Sequence, residues 1–428
     1  MFAKLFLLIA LGVVLQQHAA EAASASPVEK KKIVCYYGTW ATYRQGNGKH
    51  NTEDIDPRLC THLMYSFFGI HPNGSIRLTD PWLDEEEDGG LGNIKRFNNL
   101  KLINPKLKTI AAVGGWNEGS EKFAIVANDP QLRKTFVNES IALLLKYGFD
   151  GLDMDWEYPK KRNELGYDDK ANFVSWCKEL KEAFIPYNFS LSAAVSATED
   201  SVKISYDVPG VSKYLDFINI MAYDLNGPWD GVTGFNAALL PGQNDVTAVQ
   251  KQLNVEAIVN YWLEAGAPAS KLILGVPFYG HSFTLTNASV HGLGAPITGP
   301  GPAGPYSGEG GTINYIELCE KQLTEPWTAV WDDVQKVPYT YINQTWVSYD
   351  NIQSITLKTE LALKKQLGGI MVWSIESDDF RGLCGPKYAL LQTINKTLAK
   401  AQTKQTIISM VNNYFKQIND FFSEAFSF

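Results

Sequence analysis

Long runs of basic residues are missing from this sequence, and their absence excludes one class of partner. Its 46 acidic residues outnumber its 38 lysines and arginines, which gives a formal net charge of −8 at pH 7. Binding the phosphates of a nucleic acid needs a concentrated positive surface. We therefore expect no nucleic-acid partner, and a substrate that is neutral or weakly charged.

Apolar runs of membrane-spanning length are also missing. The run at residues 5–15 is too short to span a bilayer comfortably, and no later stretch is long enough. Lys4 precedes that run and small residues follow it at 19–23, which is the three-part pattern of a secretory signal peptide. We predict a signal peptide over residues 1–22, no transmembrane segment, and a soluble, secreted protein.

Cysteine is scarce, and five cysteines in an oxidising compartment leave one unpaired. Cys35 and Cys60 begin two neighbouring strand-like runs, and Cys319 and Cys384 are the late pair, so we expect these two disulfides. Cys177 falls in a helical pattern and is predicted to be a buried, unreactive thiol.

Six sequons are glycosylation candidates, and the sequence does not show which are used: Asn73, Asn138, Asn188, Asn287, Asn343 and Asn395.

What the sequence does contain is a regular alternation of two kinds of segment. Short apolar runs bounded by turn residues recur at 33–38, 62–68, 108–113, 149–156, 188–195, 215–222, 271–277 and 369–373. Amphipathic segments of helical length lie between most of them, at 94–102, 132–147, 171–184, 246–265 and 352–367. This alternation predicts an α/β fold, the (β/α)8 TIM barrel.

Two segments do not fit the alternation. Residues 280–350 combine Gly/Pro-rich turns with aromatic, strand-like patches. They predict a small α+β insertion domain between the seventh and eighth barrel strands, within a catalytic domain over 23–398. Residues 399–428 place apolar side chains at helical spacing and predict an amphipathic tail that docks on the barrel, on a partner or on lipid.

Three acids at alternate positions mark the fourth predicted strand. Alternate side chains of a strand share a face, so Asp153, Asp155 and Glu157 point the same way, and Pro159 places Glu157 at the strand's carboxyl end. An acidic face in water is one alternative, but the flanking segments are typical of buried strands, where three carboxylates are costly unless they share protons. A metal site is the second alternative. Because neither EF-hand spacing nor a nearby histidine supports it, we expect no metal and no cofactor.

Aromatic side chains gather at the carboxyl ends of the predicted strands. Flat apolar faces beside a few acids suit a sugar polymer, because a pyranose stacks one face and hydrogen-bonds through its hydroxyls. The residues at these ends are Tyr36, Trp40, Phe67, Trp116, Asn117, Tyr158, Met221, Tyr223, Asp224, Tyr279 and Trp373.

Residues 149–159 resemble the DGxDxDWEYP signature of glycoside hydrolase family 18, the chitinases and chitinase-like lectins. Segments at 112–116, 221–224, 276–280 and 368–373 resemble further family motifs, in the same order. The resemblance extends from residue 32 to 398 and includes the insertion domain and both cysteine pairs. It is strongest to secreted animal chitinases that consist of a catalytic domain alone.

The resemblance implies a role for each matching residue. Glu157 would be the acid/base, Asp155 would hold the acetamido N–H of the substrate, and Asp153 would share the proton of Asp155. The substrate's own acetamido group would be the nucleophile, with retention of configuration. The remaining implied contacts are Tyr223 to the acetamido oxygen, Asp224 beside it, Trp373 as the floor, Trp116 and Trp40 under donor-side sugars, and Trp229 under an acceptor-side sugar.

Two positions depart from the family pattern. His281 stands where most relatives have arginine, and Glu118 stands where an aromatic residue is frequent, which predicts altered sugar contacts and weaker donor-side stacking. The fold also serves non-catalytic lectins, in which the position of Glu157 is lost, and endo-β-N-acetylglucosaminidases, which the insertion domain disfavours. The intact Glu157 favours a secreted endo-chitinase, acting as a monomer on chitin and chito-oligosaccharides.

Overall fold

The computed structural model describes residues 31–243 and 245–425, with side chains as far as residue 417. The predicted signal peptide lies outside the described residues. The described chain divides into residues 32–395, which contain both β-sheets, and a C-terminal unit that begins at Lys396.

Strands and helices alternate along most of the chain. The strands are β1 (Lys32–Gly38), β2 (His62–Ile70), β3 (Ile76–Leu78), β4 (Lys108–Gly114), β5 (Gly151–Asp155), β6 (Ser190–Val195), β7 (Phe217–Ile220), β8 (Leu272–Pro277), β9 (Tyr279–Leu285), β10 (Ile297–Pro300), β11 (Thr312–Asn314), β12 (Thr328–Asp332), β13 (Val337–Ile342), β14 (Thr345–Ser348) and β15 (Gly369–Trp373). The α-helices are α1 (Pro81–Asp84), α2 (Asn93–Ile103), α3 (Glu121–Asn128), α4 (Pro130–Tyr147), α5 (Asp169–Phe184), α6 (Glu199–Ser205), α7 (Val208–Tyr214), α8 (Val255–Glu264), α9 (Tyr315–Thr324), α10 (Ile352–Lys364) and α11 (Ala389–Ala425).

The larger sheet closes into a barrel. Its strand order is β1-β15-β8-β7-β6-β5-β4-β2-β3, and β1 also pairs with β2, so the parallel strands form a ring, and the antiparallel β3 projects from it. Apolar side chains fill the interior, among them Val34, Met64, Ile110, Ile273 and Met371. The predicted TIM barrel is confirmed, and its carboxyl-terminal end is where barrel enzymes carry their active sites.

The second sheet lies between β8 and β15 in sequence, as predicted for the insertion domain. Its order is β10-β9-β14-β13-β12, with β11 also paired to β9. Phe283, Val337 and the fully buried Trp346 form its core together with Phe235, which comes from the loop after β7. The insertion domain therefore packs on a loop from the carboxyl-terminal end of the barrel.

Several predicted elements are shorter in the structure, among them the fourth barrel strand and the helix over 246–265. The fourth barrel strand covers Gly151–Asp155, not 149–156, because the chain turns at Gly148 (φ 75°) after α4 and pairs with β4 only from Gly151. The predicted helix over 246–265 is helical only from Val255 as α8. Asn254 caps this helix by accepting a hydrogen bond from the backbone N–H of Ala257, which fixes its first turn.

Both predicted disulfides, Cys35–Cys60 and Cys319–Cys384, are present. Cys177 is free and buried, and burial raises the pKa of its thiol.

Asn395 differs from the other sequon asparagines, because its Nδ2 donates to the carbonyl oxygens of Leu59 (2.9 Å) and Leu391 (3.0 Å), bonds that a glycan would break. Glycosylation stays a prediction for the exposed residues Asn73, Asn138, Asn188, Asn287 and Asn343.

The C-terminal segment begins within α11. This helix runs without a break from Ala389 to Ala425, so the predicted boundary between residues 398 and 399 does not coincide with a helix end. Docking of the tail stays a prediction. Over the described part of the chain, no helix combines the length and the apolar character that crossing a membrane requires.

Candidate active site

The three acids of the fourth barrel strand are buried. Asp153 and Asp155 lie on β5, and Glu157 follows the strand by two residues; their exposed fractions are 0%, 3% and 8%. The alternative of an acidic face in water is therefore wrong. Gly114, at the end of β4, allows β4 and β5 to approach each other closely at Asp155. A Cβ at this position would lie 2.1 Å from the carbonyl oxygen of Asp155.

Asp153, the innermost acid, is surrounded by hydrogen-bond donors. Its Oδ2 accepts from the Tyr36 hydroxyl at 2.6 Å, and its Oδ1 accepts from the Ser192 hydroxyl at 2.5 Å and from Asn219 Nδ2 at 3.2 Å. Burial raises the pKa of Asp153 to about 6, against the opposing effect of these three donors. Tyr36 was predicted to bind substrate. That prediction is corrected, because the residue is 1% exposed and its hydroxyl donates to Asp153.

Asp155 and Glu157 are acids whose pKa values are both raised. Burial raises the pKa of Asp155 well above its ordinary value, and the charges of Glu157 and then Asp153 raise it further. Within the described chain, Oδ1 of Asp155 is buried and has no hydrogen-bond partner. Burial likewise raises the pKa of Glu157 to about 7; a hydrogen bond with Tyr158 and the charge of Arg162 oppose the rise, and Asp224 adds to it. The site therefore offers a protonated carboxyl near neutral pH and an unsatisfied acceptor two residues earlier.

Aromatic rings stack beside these acids. Phe67 and Trp373 are nearly parallel, with ring centres 5.7 Å apart, and Trp40 lies 6.2 Å from each of them. Trp116 and Trp229 project further into solvent, with 58% and 63% of their surface exposed. Exposed rings of this kind suit the apolar faces of pyranose sugars.

A second group of side chains surrounds Asp224. Its Oδ1 accepts from the Tyr279 hydroxyl at 2.5 Å and lies 2.8 Å from Nε2 of His281. The rings of His281 and Trp229 meet edge to face at 5.1 Å. The pKa of Tyr223 is raised by burial and then by the charge of Asp224, so that its hydroxyl stays a donor. His281 thus contacts Asp224 from β9 of the insertion sheet and forms part of the cleft wall.

These groups line one cleft of about 1090 Å³. Of the predicted site residues, the structure brings together Trp40, Phe67, Trp116, Asn117, Asp155, Glu157, Tyr158, Met221, Tyr223, Asp224, Trp229, Tyr279 and Trp373. Tyr36 and Asp153 lie behind the lining. Glu118 also lies outside it, because its carboxylate forms ion pairs with Arg77 and Lys122 (2.8 Å).

Several residues that line the cleft are not among those predicted from the sequence. Arg44, in the segment after β1, and Glu376, in the segment after β15, form an ion pair of 3.7 Å. The signal in the sequence was a charged residue a few positions after each of these predicted strands. Glu309, Gly310, Gly311 and Thr312 come from the insertion domain, whose Gly/Pro-rich sequence indicated turns but not which turn faces the cleft.

Comparisons with known proteins agree with this geometry. The model of glycosyl hydrolases family 18 matches residues 32–378. The chain is 38% identical over 409 residues to probable chitinase 2 of Drosophila melanogaster (88% of this chain, 82% of that protein). It is 40% identical over 382 residues to chitotriosidase-1 of Mus musculus (86% and 78%).

A solved structure extends the likeness to three dimensions. The Group IV chitinase of Ostrinia furnacalis in complex with allosamidin is 50% identical to this chain and superimposes with a TM-score of 0.84, covering 86% of this chain and 99% of that one. The family match includes β5, the acids and every strand of the barrel. This chain belongs to glycosyl hydrolase family 18.

Proposed function

We propose that this protein is a chitinase, which hydrolyses β-1,4 linkages between N-acetylglucosamine units with retention of configuration. One observation carries the proposal: Glu157, whose pKa burial raises to about 7, lines an aromatic cleft together with Asp155, which has an unsatisfied buried oxygen. Membership of the family and the named chitinases among its relatives support the same substrate.

In the first step, Glu157 donates its proton to the glycosidic oxygen as the bond from that oxygen to C1 breaks. The carbonyl oxygen of the substrate's own acetamido group forms the new bond to C1. Asp155 Oδ1 accepts the acetamido N–H, which becomes more acidic as the group gains positive charge, and the Tyr223 hydroxyl orients the attacking oxygen. Water then attacks C1, the Glu157 carboxylate takes its proton, and the acetamide is restored.

The cleft suits an internal bond of a linear polymer. Trp40, Phe67 and Trp373 form one aromatic group, and Trp229 with His281 forms another. Sugars on both sides of the broken bond would thus have a stacking surface, which favours endo cleavage. The two disulfides support a place outside the cell.

Replacing Glu157 with glutamine tests the proposal. The variant keeps the shape of the side chain but carries no transferable proton. We therefore expect kcat on a fluorogenic chitotrioside to fall by about 10²- to 10⁴-fold. Binding of chito-oligosaccharides should persist. The matched control is Glu164→Gln, an exposed glutamate in the loop after β5, which should retain full activity. Full activity of Glu157→Gln would contradict the assignment of the acid.

A further inference from the structure

Arg162 holds the indole of Trp116 from outside the cleft. Its guanidinium carbon lies 3.6 Å from the ring centre, and its Nη1 donates to the carbonyl oxygens of Trp116 (3.0 Å) and Glu157 (3.2 Å). Trp116 lines the cleft and Arg162 does not, so the cation covers one face of the ring and leaves the other to the cleft. We infer that Arg162 is a positioning residue, which fixes Trp116 as a sugar platform and joins it to the segment carrying Glu157.

Trp116 needs such support because of where it lies. It is 58% exposed and belongs to a single 3₁₀ turn between Gly115 (φ 85°) and Gly119 (φ 78°). Glu118 anchors the far end of that turn through Arg77 and Lys122, but those bonds do not reach the indole. Among the described residues, no aromatic ring stacks against Trp116, in contrast to Trp40.

Arginine suits this task because its planar group can cover an indole while its N–H groups donate sideways. A lysine ammonium could attract the ring but has no plane to match it. With the ring already held, a sugar that stacks on the open face does not have to order the side chain, so binding is stronger. The inference rests on the proposed function, since it names one subsite for the chitin chain.

Calorimetric titration with chitohexaose tests the inference in a Glu157→Gln background, where no hydrolysis intervenes. We expect Arg162→Ala to raise Kd about three- to tenfold. Lys160→Ala is the matched control: Lys160 also has a positive φ (65°, against 58° for Arg162), is exposed in the same loop, and loses the same charge. Its Kd should stay at the value of the parent.

A second readout separates positioning from general loss of structure. The positive charge of Arg162 lowers the pKa of Glu157 against the larger effect of burial. In the active protein, Arg162→Ala should therefore shift the alkaline limb of kcat/KM to higher pH, while Lys160→Ala leaves it in place.

The outcomes are distinct. Equal Kd values for Arg162→Ala and Lys160→Ala overturn the inference and leave the proposed function intact. If the parent itself fails to bind chitohexaose, the proposed function and the inference are both overturned. Should Arg162→Ala not fold, Arg162→Lys decides: a raised Kd supports the positioning role, and an unchanged Kd overturns it.

Discussion

The hydroxyl of Tyr36 donates a 2.6 Å hydrogen bond to Oδ2 of Asp153, and neither residue lines the cleft. Asn219 closes a triangle with them, since its Nδ2 lies 3.2 Å from both the Tyr36 hydroxyl and Oδ1 of Asp153. Ser192 of β6 also donates to Asp153, so this acid accepts hydrogen bonds from three other strands, β1, β6 and β7. Through Asp155, its charge influences the cleft without touching the substrate.

Replacing Tyr36 with phenylalanine should lower kcat about tenfold and change KM little, because a hydrogen bond to a charged acceptor contributes about 1.5–3 kcal/mol and acts here on the acids alone. Steady-state kinetics on chitotriose measure both constants. Tyr37→Phe is the control, since that hydroxyl on the same strand contacts the carbonyl oxygen of His50 at 3.4 Å. A raised KM with unchanged kcat would instead indicate that Tyr36 contacts the sugar directly, as predicted from the sequence.

The pH dependence of the rate should follow the proton on Glu157. A general acid must be protonated, and burial raises the pKa of this group to about 7, so kcat should fall as the pH rises above that value. A rate profile on a soluble chito-oligosaccharide measures the limb. A profile that stays flat well above neutral pH would contradict the assignment.

The same raised pKa predicts a cost in stability. The folded state keeps the Glu157 proton to higher pH than the unfolded chain, so this group destabilises the fold as pH rises from its ordinary pKa of 4.5 towards about 7. Glutamine has no proton to lose. We expect Glu157→Gln to raise Tm relative to the parent at about pH 8 and to change it little at about pH 4. Equal Tm differences at both values would show that the effect is not linked to this proton.

His281 should affect substrate binding more than chemistry. Its ring provides one of two contacts to Asp224 Oδ1 and supports Trp229 edge to face, and it lies on the wall rather than beside Glu157. We expect His281→Ala to raise KM for chitohexaose about fivefold with kcat within about twofold, the pattern of lost uniform binding. His291→Ala is the control, because that ring stacks on Tyr341 in the insertion sheet. A fall in kcat alone would place His281 in the chemical step.

The Cys319–Cys384 disulfide should stabilise the fold. It joins α9 of the insertion domain to the segment after β15 and closes a sequence separation of 65 residues. Loop-closure entropy predicts that Cys319→Ser with Cys384→Ser lowers the free energy of unfolding by up to about 4 kcal/mol. Chemical denaturation under oxidising conditions measures the change, with the buried free thiol removed by Cys177→Ser as the comparison. An unchanged midpoint would show that the bridge contributes nothing.

The amino-acid sequence by itself determined the alternation of strands and helices, the face shared by Asp153, Asp155 and Glu157, and the aromatic residues at the strand ends. These are periodic or local properties, which a chain displays before it folds. Tertiary structure decided which side chains contact each other: Tyr36 with Asp153, Arg44 with Glu376, and Arg162 with Trp116. It also decided which turn of the insertion domain lines the cleft. Such pairs depend on barrel closure and loop path, and the proton on Glu157 depends on burial by distant parts of the chain, which no local pattern contains.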